Sequence, residues 1–296
     1  MVGLPHDPRA AVMSHPPFSR RRFLVTLAAA GIAVPTAIKG AEETAELEIL
    51  VDKDGWGAAP VPNVRALLLS AAQQLWRSCP DELIRPVSVY HRPDFPQTDF
   101  LHDWHGRIRI GLACEDAHWA QMAFQFGHEF CHALAQHSAA AKRSWHPPRH
   151  ANLWFEESLC ETASLFVLRR MADVWKTSAP YPNWKSYSGS LAGYATERLA
   201  NPERQLPEGQ TFADWFRSNE ASLRENHAQR DKNVIVARQM LPLFEATPAG
   251  WDSVCYLNLG QRKDGKPLAQ HLAEWQTATP AATKPFVARV AALFGV

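Results

Sequence analysis

The run Phe126-Gly127-His128-Glu129-Phe130-Cys131-His132-Ala133-Leu134 constrains this chain more than any other stretch. Trp119, Met122, Phe124, Phe126, Phe130 and Leu134 give the surrounding segment, His118 to about Gln136, the spacing of a long helix with a buried face. Side chains four apart on a helix lie on one face about 6 Å apart. The two histidines of His-Glu-x-x-His can therefore converge on one ion. Imidazole nitrogens bind Zn²⁺ at about 2.0–2.1 Å in a tetrahedral set. Glu129, one step round the helix, lies beside the ion, where it can take a proton from a water that the ion activates. Two solvated surface histidines would not need the apolar jacket around them, whereas a site that excludes water does.

A catalytic zinc takes a third protein ligand and keeps one position open. The next helix, expected over Leu153–Met171, carries Trp154-Phe155-Glu156-Glu157-Ser158-Leu159-Cys160-Glu161. Glu157 and Glu161 are four apart and share a face. His-Glu-x-x-His followed by a helix bearing Glu-x-x-x-Glu resembles the gluzincin metallopeptidases, the thermolysin-like and aminopeptidase-like clan. The resemblance covers about residues 127–161. It implies a zincin-like fold, one Zn²⁺ held by His128, His132 and Glu157, Glu129 as general base, and Glu161 accepting the free N–H of His128. This chain departs from the pattern in a longer gap between the two helices. It also has Glu156 where asparagine is common, which leaves two registers for the ligand carboxylate; only Glu157 has an acid four residues later. His146 and His150 are alternative third ligands, set in a loop with Pro147-Pro148. The chain has Ala135 and Ser138 where a metzincin would carry its glycine and third histidine.

The reaction that the resemblance implies builds up an oxyanion and needs a donor for it. Gluzincins commonly take this donor from a tyrosine or histidine downstream of the ligand helix. The candidates are Tyr194, Tyr187, His227 and Tyr256. Tyr194 is preferred, because it follows Ser188-Gly189-Ser190-Leu191-Ala192-Gly193, which reads as a Gly-rich loop.

Strands are expected at Glu46–Val51, Pro86–His91 and Arg107–Ala113, the last alternating cleanly with one wet face. In the resembled fold a strand there is an edge that pairs with extended peptide. Val64, Leu67, Leu68, Ala71 and Leu75 give a helix over Val64–Arg77. Tyr181–Tyr194 reads as loop-rich, and helical spacing returns at 211–224, 232–246, 249–258, 267–276 and 281–293. The expected class is α+β, a small mixed sheet with the zinc helices followed by a mainly helical region. The expected divisions are 1–41, 42–180 and 181–296.

Residues 1–41 read as an address. Ser19-Arg20-Arg21-Arg22-Phe23-Leu24 followed by an apolar stretch to about Ile38 resembles a twin-arginine export signal, with Arg20 and Arg21 as the pair. The resemblance implies the twin-arginine machinery as a partner and a periplasmic or secreted protein, or one anchored by an uncleaved signal. No stable membrane span is expected in the mature form otherwise. An exported chain meets oxidising conditions, under which some of Cys79, Cys114, Cys131, Cys160 and Cys255 can pair. Lys+Arg 31 against Asp+Glu 30 leaves a net charge of +1, which gives no electrostatic case for a nucleic-acid partner. The leading expectation is an exported zinc metallopeptidase acting on peptides or proteins. A zinc hydrolase of a non-peptide or cell-wall bond, and a non-catalytic envelope binding protein that keeps the zinc fold, are the alternatives.

Overall fold

Three short apolar runs pair into the sheet around which the chain is built. The computed structural model describes residues 47–77, 85–99, 101–136, 151–261 and 263–296. The expected export signal with Arg20 and Arg21, and Cys79, His146 and His150, lie outside the described residues. The described part belongs to one compact unit, Thr44–Val296.

Strands β1 (Ile49–Val51), β2 (Val87–His91), β3 (Gln97–Thr98) and β4 (Ile108–Leu112) form a four-stranded sheet in the order β1-β2-β4-β3. β1, β2 and β4 run parallel, and β3 lies antiparallel to β4. Val87, Ser88 and Val89 are all buried because β2 is central and covered on both faces. Parallel neighbours need a crossover, and helix α1 (Val61–Trp76) supplies it between β1 and β2. Its buried stripe includes Val64, Leu67, Leu68, Ala71 and Leu75, as the spacing required.

β4 differs from the sequence expectation in one respect. It is an internal strand, because β3 takes the edge: Gln97 pairs with Gly111 and Thr98 with Ile110. A two-residue strand carries no periodicity, so β3 has no signature in sequence.

After β4 the chain is helical. α2 (Trp119–Gln136) and α3 (Leu153–Ser178) pack against each other and against α1. Trp175 Nε1 donates to Ser70 Oγ at 2.8 Å, tying α3 to α1. A 3-10 turn at Pro182–Tyr187 leads into α4 (Ser188–Ala200). The segment that reads as a Gly-rich loop is thus the start of a helix. Leu191 and Ala195 bury one face of it, while Gly189 and Gly193 have open space around them. Tertiary packing on α3 overrides a weak local propensity here. α5 (Phe212–Glu225), α6 (Arg230–Ala246), a 3-10 stretch at Pro248–Tyr256, α7 (Leu268–Ala278) and α8 (Lys284–Leu293) complete the chain. The mixed sheet and dominant helices give an α+β architecture. No described helix is long and apolar enough to cross a membrane. Cys114, Cys131, Cys160 and Cys255 are buried, and no disulfide joins any two of them.

The close approach of α2 and α3 sets up the site. Small residues line it: Gly127 and Cys131 on α2, Cys160 and Ser164 on α3. A Cβ on Gly127 would lie 3.3 Å from Ser164 Cα and 3.4 Å from the Val167 side chain. Ser164 Oγ donates to the Phe124 carbonyl at 2.9 Å across the same seam. Gly127→Ala gains helix propensity of about 1 kcal/mol against this tight contact, and stability should stay within about 1 kcal/mol. Gly127→Val overpacks the seam and should cost about 1–3 kcal/mol, read as a lower denaturation midpoint. An unchanged midpoint for valine would show that the seam is looser than the distances indicate.

Candidate metal centre

The periodicity of α2 places His128 and His132 on one face, with ring centroids 5.1 Å apart. α3 delivers a carboxylate to both. Glu157 Oε2 lies 3.3 Å from His128 Nε2, and Glu157 Oε1 lies 3.6 Å from His132 Nε2. Two donors bound at about 2.05 Å in a tetrahedron stand about 3.3 Å apart, the length of the tetrahedral edge. Each imidazole therefore lies at about that separation from one oxygen of Glu157. Both histidines present Nε2 to the same carboxylate.

The other ring nitrogen of His132 is also engaged. Its Nδ1 lies 2.7 Å from Glu156 Oε1. Gln136 Nε2 donates to the same oxygen, and Asn258 Nδ2 donates to Glu156 Oε2 at 2.8 Å. The two adjacent glutamates thus divide the roles that sequence left open. The Glu157 side chain is 23% exposed and faces both imidazoles, whereas that of Glu156 is 1% exposed and backs one of them. A carboxylate behind a histidine fixes its tautomer and ring orientation and makes it a better ligand.

The electrostatics follow from this packing. Burial opposes ionisation of Glu157, but the His132 and His128 imidazoles overcome it and hold the carboxyl well below the usual range. Burial likewise opposes the charged form of Glu156, and His132, Asn258 and Gln136 outweigh it and lower its pKa. Burial would push His132 down, yet the Glu157 and Glu156 carboxylates raise it well above an ordinary histidine. Two anions demand a cation in the pocket. A proton on His132 meets the demand in the metal-free chain, and a divalent ion would meet it with both imidazoles neutral.

Glu129 is buried on α2 beside this set. Thr98 Oγ1, on β3, lies 2.7 Å from the Glu129 carbonyl oxygen and 3.0 Å from its Oε2. Glu161 is buried one turn beyond Glu157, where Arg230 Nε pairs with its Oε1 at 3.3 Å. Glu161 Oε2 is buried with no hydrogen-bond partner among the described residues. The structure therefore gives Glu161 to Arg230, with no hydrogen bond to His128 among the described residues. Tyr194 packs its ring edge-on against Phe124 at 5.8 Å, one helical turn before His128. It flanks the site without a hydrogen bond to His128, Glu129, His132 or Glu157 among the described residues. Tyr187 Oη accepts from the Ala120 amide at 3.4 Å, also towards the start of α2.

One further group lies within reach. Ligand atoms of His128, His132 and Cys160 fall within 4.8 Å of one another. Cys160 is fully buried. Burial, the Cys131 thiol and the Glu156 and Glu157 carboxylates all push its pKa up, against the thiolate that a metal requires. Sequence reasoning overlooked Thr98, Gln136 and Asn258, which no motif marks. The doublet Glu156-Glu157 was the one visible signal that two carboxylates would share the histidines. No protein-family model, curated protein or solved structure matches this chain.

Proposed function

We propose that this chain is a zinc-dependent hydrolase with a zincin-like core of gluzincin type, acting on peptide bonds after export by the twin-arginine route. The observation that carries the reading is the Glu157 carboxylate, spanning the Nε2 atoms of His128 and His132 at 3.3 and 3.6 Å. Three protein donors of this kind leave a fourth position open, as catalytic rather than structural zinc sites do. Bound there, a zinc ion supplies Lewis acidity that acidifies water and polarises a carbonyl. The Glu129 carboxylate takes the proton of the attacking water and passes it to the leaving amine. Oε1 is the oxygen for that task, because Oε2 is in contact with Thr98. Glu156 holds the His132 ring so that Nε2, not Nδ1, faces the ion. The apolar wall of α2, with Phe126 and Phe130 fully buried, keeps bulk water from the buried side of the site. Tyr194 is kept as the oxyanion donor, since its ring packs against Phe124, one helical turn before His128.

A second reading takes Cys160 as the third ligand in place of Glu157. Glu157 is the better candidate, since each of its oxygens faces one of the two imidazoles and its charge matches a cation. Zinc content measured by elemental analysis and equilibrium dialysis separates the two. One ion per chain is expected, weakened by a factor of 10–100 or more in Glu157→Gln and unchanged in Cys160→Ser, by analogy with the loss on removing metal-site partners, roughly 10–100-fold. The opposite pattern would make Cys160 the ligand, and a chain that binds no zinc would overturn both. Cleavage of a mixed peptide library by the zinc-loaded chain then decides between a peptidase and a hydrolase of other bonds.

A further inference from the structure

We propose that Thr98 is a positioning residue for Glu129, locking the rotamer of the general base from the edge strand of the sheet. The proposal rests on the hydrolase reading above for the role of Glu129, and on its own geometry for the contact. Thr98 is buried, and its hydroxyl oxygen meets Glu129 twice, at the main-chain carbonyl (2.7 Å) and at carboxylate Oε2 (3.0 Å). The strand that carries it is pinned on each side. Gln97 Oε1 accepts from Arg92 Nη1 at 2.6 Å, and the Asp99 amide donates to the Arg109 carbonyl at 2.8 Å. Asp99 Oδ1 also accepts from Tyr90 Oη at 2.9 Å. The hydroxyl is thus held on a fixed element 31 residues from its partner in sequence, where it can dictate where the glutamate lies.

A hydroxyl carries one hydrogen and two lone pairs. The Glu129 carbonyl oxygen and Oε2 both accept, so the Thr98 O–H donates to one of them at a time and stays within reach of the other. The side chain of Glu129 is thereby referred to its own main chain through one hydroxyl on the neighbouring strand, which limits where the carboxylate can turn. The Glu129 carbonyl lies mid-helix and keeps its helical bond when the hydroxyl is removed, so the fold does not depend on it.

The test uses the full, zinc-loaded chain. Thr98→Val removes the hydroxyl at nearly constant shape, and Thr98→Ser restores it. Zinc content should not change in either. The expected result for valine is a fall in kcat of about 10- to 100-fold with KM within about 3-fold, as loss of alignment at a reacting group produces; serine should recover most of the rate. Combined with Glu129→Gln, Thr98→Val should add no further loss. A valine variant with unaltered kcat, a serine variant as slow as valine, or additive losses in the double variant would each overturn the proposal. A readout independent of turnover is the side-chain carboxyl ¹³C resonance of Glu129, assigned by its loss in Glu129→Gln. It should shift in Thr98→Val and return in Thr98→Ser, and an unmoved resonance refutes the contact. If the wild-type chain cleaves no substrate, the hydrolase reading falls, and the resonance still decides whether Thr98 holds Glu129.

Discussion

Glu129→Gln should abolish most turnover, with kcat falling about 1,000-fold, while zinc stays bound and the protein becomes no less stable. The size follows from the role: a positioned general base contributes about 10²–10⁴-fold. The selectivity follows from the surroundings. Glu129 is 4% exposed, and its carboxylate makes one hydrogen bond, to Thr98, among the described residues. A buried carboxylate so thinly solvated costs the fold stability, and a neutral amide of the same shape relieves that cost. Stability should therefore hold steady or rise by about 1 kcal/mol, the signature of a residue kept for chemistry rather than for packing. Zinc content is the control, because Glu129 lies beside the ligand set. Turnover that survives the substitution removes Glu129 from the mechanism. Loss of zinc along with turnover would instead make Glu129 part of the binding site.

The sequence and the structure agree where chemistry and periodicity coincide. The α2 helix, its apolar face, and the shared direction of His128 and His132 follow from 3.6-residue spacing, which needs no tertiary information. The strands β1, β2 and β4 follow from short runs of branched residues between turns. What was illegible depends on contacts across long stretches of chain. Thr98 reaches Glu129 from a strand of two residues, and Asn258 reaches Glu156 across 102 positions. Neither residue type is diagnostic, since threonine and asparagine occur everywhere on ordinary surfaces. The Ser/Gly content of 188–193 misleads for the related reason that α4 is held by burial of Leu191 and Ala195 rather than by intrinsic propensity. The pairing of Glu161 with Arg230 also needs the fold, because α6 must first be brought against α3.

Glu156→Gln should weaken zinc retention by about 10- to 100-fold and also destabilise the metal-free protein by about 2–3 kcal/mol. Three donors converge on Glu156: His132 Nδ1 and Gln136 Nε2 at Oε1, and Asn258 Nδ2 at Oε2. A carboxylate accepts at both ends, whereas an amide must turn its NH₂ towards at least one of these donors. One N–H group is then left facing another inside a pocket with no access to water, and a buried unmet donor costs about 1–3 kcal/mol. His132 also loses the anion that fixes its ring, so Nε2 is no longer held toward the ion. Glu157→Gln should behave differently. Its side chain is partly open to solvent, so the metal-free protein should lose less stability than with Glu156→Gln, while zinc retention falls. Measured together by chemical denaturation without metal and by zinc competition, the two adjacent substitutions separate holding the ion from holding the ligand that holds it. Equal destabilisation by both would show that the carboxylates act as one buried cluster, and the division of roles between them would be lost.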